Sequence, residues 1–175
     1  MYRVCLVCLG NICRSPMAEV VLRDELERAG LADRIEVDSA GTGDWHVGEP
    51  MDAGASDELS RRGYDGAGHR ARQFGPSWFR RYDLVAAMDG ANLRRLQSMA
   101  PGQEEEGRVV LFGRFDPDRA GRLDGRDLSV PDPYGEDADR FALVFDLIRG
   151  AARGLAGQLA ALLGDEAPAS PGPGG

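Results

Sequence analysis

A cysteine, an arginine and a serine near the start of the chain are the residues best placed to do chemistry. Cys8, Arg14 and Ser15 enclose a short turn with the sequence Cys-Leu-Gly-Asn-Ile-Cys-Arg-Ser, between an apolar run and a helical pattern. A loop of this length can wrap its backbone N–H groups around one phosphate, and the positive end of the following helix adds to the attraction. The pattern therefore predicts a phosphate-binding loop.

Each residue type in this loop suits a step of phosphate chemistry. The positive field favours the thiolate of Cys8, which predicts a nucleophile aimed at phosphorus. Arg14 offers a planar fork that can bind two phosphate oxygens, and Ser15 can donate a hydrogen bond to the sulfur. We expect Gly10 to relieve the steric cost of the turn and Asn11 to tolerate a left-handed backbone. The residues expected to contact phosphate besides Arg14 are Leu9, Gly10, Asn11, Ile12, Cys13 and Ser15.

The cysteines lie together, which argues against a disulfide framework or a zinc site. Cys5, Cys8 and Cys13 are the three cysteines of the chain, whereas a disulfide framework distributes an even number along a short secreted chain. The histidines, His46 and His69, have no zinc-ligand spacing to them. The cluster indicates reduced thiols, with Cys5 packed in the core, and no metal is expected.

Composition narrows the class of partner. The chain has 175 residues, enough for one domain, and a formal net charge of -8 that disfavours nucleic acid. All 21 basic residues are arginine, so the abundance of arginine is not itself evidence for anion binding. No apolar run approaches the ~20 residues that span a bilayer, and the N-terminus does not resemble a signal peptide. We expect a cytoplasmic protein that binds neither membrane nor nucleic acid.

The elements that must position the loop alternate between strands and helices. Predicted strands cover residues 2–8, 34–38, 83–88 and 108–112. Predicted helices run from an N-cap at Ser15 to about Gly30, over 53–62, from a cap at Asp89 to about Met99, and over about 138–163. Residues 39–50 and 113–136 are predicted to be long loops, and 101–107 a polar turn.

This alternation predicts an α/β fold. A single domain with a four-stranded parallel sheet would have helices on both faces, and ligands bind such sheets at the carboxyl ends of the strands. The loop after residues 2–8 lies at such an end. We expect the domain to span 1–164 and a tail rich in Pro, Gly and Ala, 165–175, to be disordered.

Several ordered motifs resemble the low-molecular-weight protein tyrosine phosphatase family, in its bacterial form. They are VCLGNICRSPMAE at 7–19, DSAGTGDWHVG at 38–48, HRAR at 69–72, DLVAAMD at 83–89 and DPY at 132–134. The resemblance extends over about residues 2–163. It implies a flavodoxin-like topology, hydrolysis of phosphotyrosine in proteins through a phosphocysteine intermediate, and no cofactor.

The resemblance implies roles for three residues outside the loop. Asp132 corresponds to the general acid that protonates the leaving phenolate and then serves as the general base, although Asp-Pro also favours a simple turn. Trp45 and Tyr134 correspond to the walls of the substrate cleft. Gly135 departs from relatives that carry a second tyrosine there, which removes one contact from the cleft.

The resemblance also implies residues that support the loop from behind. Ser39 and His69 correspond to positions that brace Asn11. Glu19 and Asp38 are expected to hold His69. The protein is expected to act on phosphotyrosine-containing proteins as a monomer.

Other functions remain open from sequence. An arsenate reductase on the same fold needs a distal cysteine pair, and no cysteine follows Cys13. A protein arginine phosphatase of the same family tends to have Thr where this chain has Ile12. A thiol redox or sensing module could use a disulfide between Cys8 and Cys13, which we expect to protect an enzyme rather than define its function.

Overall fold

The computed structural model describes residues 1–120 and 128–164. The strands are β1 (Tyr2–Cys8), β2 (Ile35–Gly41), β3 (Leu84–Ala87) and β4 (Val109–Leu111). The α-helices are α1 (Arg14–Arg28), α2 (Ala53–Arg61), α3 (Gly90–Met99), α4 (Gln103–Gly107), α5 (Pro117–Ala120) and α6 (Ala138–Gly164). Short 3₁₀ helices cover Pro76–Arg80 and Phe112–Phe115. The predicted tail, 165–175, lies outside the described residues.

The strands form one parallel sheet in the order β2-β1-β3-β4. β1 lies inside the sheet, and Val4, Cys5, Leu6 and Val7 are all fully buried. A parallel strand covered on both faces is continuously apolar, which explains the run at the start of the sequence. The connection from β1 leads to β2 on one side and the later strands lie on the other, so the loop after β1 emerges at the topological switch point. The predicted fold class is confirmed.

Helices cover the two faces of the sheet with separate cores. Val4 and Leu6 face a core built with α1, α2 and α6. Cys5 and Val7 face the other core, where the buried rings are Phe74, Phe79 and Tyr82. Among the described residues, no helix is long and apolar enough to cross a membrane.

Several element boundaries differ from the predictions. β2 continues to Gly41, three residues beyond its predicted end, because it pairs with β1 as far as Cys8. The predicted loop over 113–136 contains most of one 3₁₀ helix and all of α5, and part of it lies outside the described residues.

The predicted N-cap of the first helix is wrong. The N-cap of α1 is Cys13 and no side chain caps it. Ser15 lies inside the first turn and is fully buried, so its hydroxyl is available to the loop instead. By contrast, Asp89 caps α3 as predicted, since its carboxylate accepts a hydrogen bond from the Asn92 N–H at 2.8 Å.

Candidate active site

The loop after β1 is organised around Asn11, which is fully buried and has a left-handed backbone with φ 56. Its side-chain nitrogen donates to Ser15 Oγ and to Ser39 Oγ, both at 2.9 Å. Its side-chain oxygen accepts from the Arg72 backbone N–H at 2.8 Å. The Asn11 carbonyl oxygen lies 2.6 Å from His69 Nε2. Every polar group of the side chain therefore has a partner, and the turn has one stable shape.

This arrangement directs hydrogen-bond donors at the Cys8 sulfur. The Arg72 N–H can only donate, so the Asn11 amide must present its oxygen to it and its nitrogen to Ser15. Ser15 Oγ already accepts that bond, so its own proton is left for Cys8 Sγ at 3.0 Å or the Ala40 carbonyl at 3.2 Å. The Asn11 backbone N–H donates to Cys8 Sγ at 3.3 Å. Such donors stabilise a thiolate.

The support behind Asn11 differs in part from what the sequence suggested. Ser39 and His69 both contact Asn11, and Ser39 Oγ donates to Glu19 Oε2 at 2.5 Å. Burial lowers the pKa of His69 below its ordinary value, which keeps the ring neutral and able to donate from Nε2 to the Asn11 carbonyl.

Asp38 was expected beside His69, but the structure gives it other partners. Its carboxylate lies 3.1 Å from the Arg72 and Arg81 guanidinium groups and accepts from the Tyr82 hydroxyl at 2.7 Å. Burial raises the pKa of Asp38, but these hydrogen bonds and charges outweigh burial and lower it overall. Asp38 therefore anchors the Arg72 segment that binds Asn11.

Arg14 is a buried cation held from one side. Its Nη1 donates to Asp89 Oδ2 at 2.6 Å and to the Val130 carbonyl at 3.1 Å. Its Nη2 lies 3.3 Å from Asp132 Oδ2. Burial lowers the pKa of Arg14, but the negative charge that Cys8 bears when ionised and the two carboxylates raise it overall. The guanidinium thus stays charged although it is only 2% exposed.

One nitrogen of Arg14 is available to a ligand. Within the described part of the chain, Arg14 Nε is buried and has no hydrogen-bond partner. A buried N–H without a partner is costly, and together with Nη2 it forms the edge of a guanidinium that binds an oxyanion in bidentate fashion. The salt bridge to Asp89 orients that edge. From the sequence, Asp89 was predicted only to cap a helix.

Asp132 lies at the mouth of the same pocket. Its Oδ1 accepts from the Tyr134 backbone N–H at 3.1 Å, which is the turn that the Asp-Pro sequence favours. Its side chain keeps 45% of its surface exposed, and it lines the pocket together with Cys8. The turn therefore presents a carboxyl group to whatever binds above the sulfur.

The pocket above Cys8 has a volume of about 390 Å³ and aromatic walls. Trp45 is 68% exposed and Tyr134 is 58% exposed, although both line the cavity. Leu9 and Ile12 add apolar surface. Large exposed aromatic side chains around a concave site are typical of ligand binding rather than packing.

His46 is a wall residue that the sequence analysis missed. Its Nδ1 lies 2.7 Å from Glu49 Oε2, and its ring centroid lies 6.0 Å from that of Tyr134. A Cβ at Gly10 would lie 3.0 Å from His46 Cδ2. Gly10 is not among the glycines with positive φ, so no left-handed turn requires glycine there, and a side chain at this position would instead press on the His46 ring.

Close packing between β2 and the loop also depends on a glycine. A Cβ at Gly41 would lie 2.7 Å from the Leu9 carbonyl oxygen and 3.1 Å from the Asn11 nitrogen. No local pattern predicts this contact, because it joins residues that are about thirty positions apart.

The three cysteine thiols differ in their surroundings. Cys5, Cys8 and Cys13 are free and buried. Burial, followed by the charges of Asp52 and Cys8, raises the pKa of Cys13 far above its ordinary value, so Cys13 stays a neutral thiol within the loop. In the described residues, no group of histidine, cysteine and acidic side chains is arranged to hold a metal ion.

The chain matches a known protein family over most of its length. The family described as "Low molecular weight phosphotyrosine protein phosphatase" matches residues 3–165. A curated protein from Streptomyces coelicolor, named "Low molecular weight protein-tyrosine-phosphatase", is 49% identical over 154 residues, which is 88% of this chain and 91% of that protein.

Solved structures agree with this result. A protein tyrosine phosphatase from Entamoeba histolytica, with Hepes in its active site, superposes with a TM-score of 0.84 at 29% identity, covering 93% of this chain and 99% of that one. Wzb from Vibrio vulnificus, in complex with benzylphosphonate, superposes with a TM-score of 0.75 at 29% identity and covers 90% and 98% of the two chains.

The salt bridge between Asp89 and Arg14 can be tested with Asp89→Asn, which keeps a good helix cap. We expect the affinity for vanadate to fall by about tenfold. The reason is that a charge-assisted hydrogen bond contributes roughly 1.5–3 kcal/mol and about 1.4 kcal/mol corresponds to a factor of ten. Calorimetric titration measures the affinity, and Asp57→Asn, an exposed change on α2, is the control. Unchanged affinity in Asp89→Asn would show that Val130 and Asp132 orient Arg14 without the charge of Asp89.

Proposed function

The chain belongs to the low molecular weight phosphotyrosine protein phosphatases, and from that premise we propose how its own residues carry out the reaction. It is a protein-tyrosine phosphatase, a hydrolase that acts on phosphate monoesters. The observation that carries the proposed roles is the convergence of Ser15 Oγ and the Asn11 N–H on Cys8 Sγ, at 3.0 and 3.3 Å, in the pocket that Asp132 lines.

In the first step, the thiolate of Cys8 attacks the phosphorus of a phosphotyrosine. A sulfur–phosphorus bond forms while the bond from phosphorus to the phenolic oxygen breaks. Protonated Asp132 gives its proton to that oxygen, so that tyrosine leaves as a neutral phenol. Arg14 Nε and Nη2 and the backbone N–H groups of the loop stabilise the phosphoryl oxygens.

In the second step, water hydrolyses the phosphocysteine. The Asp132 carboxylate removes a proton from the water as its oxygen attacks phosphorus, and the sulfur–phosphorus bond breaks. The hydroxyl proton of Ser15 and the N–H of Asn11 stabilise the departing thiolate. The cycle ends with inorganic phosphate and with Asp132 protonated again, ready for the next substrate.

The proposed substrates are proteins that contain phosphotyrosine. Trp45 and Tyr134 are exposed aromatic walls, which suit a phenyl ring, and Ile12 offers an aliphatic contact. The Vibrio vulnificus relative was solved with benzylphosphonate, a ligand that combines a phenyl ring with a phosphonate.

The alternatives are not favoured. The relatives described above carry the name of tyrosine phosphatases, which speaks against an arginine phosphatase or an arsenate reductase. A disulfide between Cys8 and Cys13 stays a prediction for the regulation of the enzyme. Localisation in a bacterial cytoplasm, a monomeric state and a domain over 1–164 also stay predictions from sequence.

Replacement of Cys8 tests the nucleophile. Cys8→Ser should reduce turnover of a phosphotyrosine peptide by at least about 10⁴-fold, because it removes the attacking thiolate. Vanadate binding, measured by calorimetry, should remain largely intact because Arg14 and the loop N–H groups are unchanged. Acid quenching during turnover followed by peptide mass mapping should find phosphate on Cys8 in the wild type. Near-wild-type turnover in the variant, or phosphate on Cys13, would refute the assignment.

Two replacements of Asp132 separate proton transfer from the turn. Asp132→Asn can keep the hydrogen bond from the Tyr134 N–H, whereas Asp132→Ala loses it. Both should slow aryl phosphates with poor leaving groups by about 10²–10⁴-fold and affect good leaving groups much less. A leaving-group series of kcat values measures this. If Asp132→Asn kept wild-type rates, the role of Asp132 would be to hold the backbone turn and not to transfer a proton.

Substrate class is tested by turnover of a phosphotyrosine and a phosphoarginine peptide side by side, without added metal. We expect phosphotyrosine to be preferred by about 100-fold or more in kcat/KM, since the pocket walls match a phenyl ring. Ile12→Thr should narrow this preference and Ile12→Val, which stays aliphatic, should not. A preference of the wild type for phosphoarginine would preserve the roles of Cys8, Arg14 and Asp132 but overturn the substrate class.

A further inference from the structure

A second concave site lies away from the catalytic loop and is rich in arginine. It is a groove of about 540 Å³ between the ends of α1 and α2 and the middle of α6. Four arginines line it, Arg28, Arg62, Arg149 and Arg153, and Glu25 is the acidic residue that accompanies them. We call this the arginine groove. The proposed reaction uses none of these residues.

An aromatic ring holds two of the guanidinium groups in place. Arg62 Cζ lies 4.6 Å and Arg149 Cζ 5.8 Å from the centroid of the Phe145 ring, which is fully buried. Tyr64 packs on the same ring with a centroid distance of 5.8 Å. Stacking on an aromatic face fixes a guanidinium without using its N–H donors. The two cations are therefore ordered in advance of any ligand.

Carboxylates balance part of the charge but leave donors free. Arg62 pairs through Nε with Glu58 at 2.8 Å and through Nη1 with Asp146 at 3.1 Å. Arg149 reaches the same Asp146 oxygen through Nη2 at 3.3 Å, a longer contact. Arg28 Nη2 pairs with Asp24 at 2.9 Å. Each guanidinium has five N–H donors, so these pairs leave donors on all three groups.

Arg153 supplies a guanidinium that no carboxylate engages directly. Across residues 1–120 and 128–164, no hydrogen bond or ion pair is made by this side chain. It follows Arg149 by four positions on α6, so both side chains lie on the same face of the helix. Both are exposed, so their remaining N–H donors can meet an anion in the groove.

We propose that the arginine groove is a second, non-catalytic binding site for a phosphate dianion, either free inorganic phosphate or a phosphomonoester. Arg149 and Arg153 would contribute the main contacts, with Arg62 and Arg28 at the sides. Planar guanidinium forks match the oxygens of a phosphate. No nucleophile corresponding to Cys8 lines this groove among the described residues, so the bound phosphate is held and not cleaved.

The groove is too far from the catalytic loop for its ligand to touch the reaction. Arg14 opens α1 and Arg28 ends it, and at 1.5 Å per residue the two lie about 20 Å apart along the helix axis. A ligand in the groove therefore does not compete for Cys8. It would enable the enzyme to hold its product anion, or a phosphorylated segment of a substrate, at a place separate from catalysis.

The test is an NMR titration of the wild-type protein with inorganic phosphate. It monitors the backbone amides of the catalytic loop and the Nε–Hε signals of the groove arginines. We expect two independent sets of shifts, each with its own saturation curve. In Arg149→Gln combined with Arg153→Gln, the groove affinity should fall by at least about tenfold, while the catalytic loop keeps its wild-type curve and the turnover of phosphotyrosine is unchanged.

A matched double variant controls for the loss of charge. Arg80→Gln combined with Arg95→Gln removes two exposed arginines outside both sites and should leave both saturation curves unchanged. A second titration, with a phosphoserine peptide, distinguishes the source of the anion. Tighter groove binding of the peptide than of inorganic phosphate would assign the site to a phosphorylated protein segment, and the reverse would assign it to free phosphate.

Three results would overturn the proposal. The first is that neither anion shifts the groove signals at concentrations that saturate the catalytic loop with inorganic phosphate. The second is that the groove shifts persist unchanged in the variant of Arg149 and Arg153. The third is that the control variant of Arg80 and Arg95 weakens the groove shifts equally, which would reduce the effect to net charge. None of these results depends on whether the proposed roles of Cys8 and Asp132 are correct.

Discussion

The catalytic loop depends on one backbone conformation, the left-handed Asn11. A residue other than glycine in this region costs about 1–3 kcal/mol unless its surroundings compensate, and here Ser15, Ser39, Arg72 and His69 all hydrogen-bond to Asn11. These partners come from α1, β2 and the segment before the Pro76–Arg80 helix. The shape of the loop therefore depends on all three of these segments being packed together. In this conformation the Asn11 N–H points at the Cys8 sulfur, so the fold and the surroundings of the sulfur are linked through one residue.

The second constraint is the charge of Arg14. A guanidinium that is 2% exposed must be compensated, and Asp89 compensates it at 2.6 Å while it also caps α3. Asp89 follows the end of β3, and Arg14 is the first residue of α1. The salt bridge therefore joins the ends of two neighbouring strands at the topological switch point of the sheet. Asp132 is a weaker partner at 3.3 Å and is far more exposed. The strong partner, Asp89, holds the cation, and the weak partner, Asp132, is the one to which we assign the proton transfer.

Local patterns in the sequence were sufficient for the fold and for the centre of the site. Sequence patterns predict the apolar run of β1, the order of the elements and the spacing of Cys8, Arg14 and Ser15, because each depends on neighbouring residues. Contacts between distant segments could not be predicted. The Asp89 side chain could be recognised as a cap, but its second oxygen meets Arg14 75 positions away, and Asp38 could be placed near the site but not with Tyr82. His46 was missed because one histidine in a loop has no periodic signal.

The contact between Gly10 and His46 has a consequence for the variation of this protein. A Cβ at position 10 would lie 3.0 Å from His46 Cδ2, so the imidazole would have to move by a few tenths of an ångström to accept it. The two positions therefore influence each other, and a smaller residue at 46 makes a side chain at position 10 easier to accommodate. Across descendants of this sequence the two positions should co-vary, although one belongs to the loop after β1 and the other lies on the wall of the cleft. Evolution of the cleft wall is thus restricted by the loop beneath it.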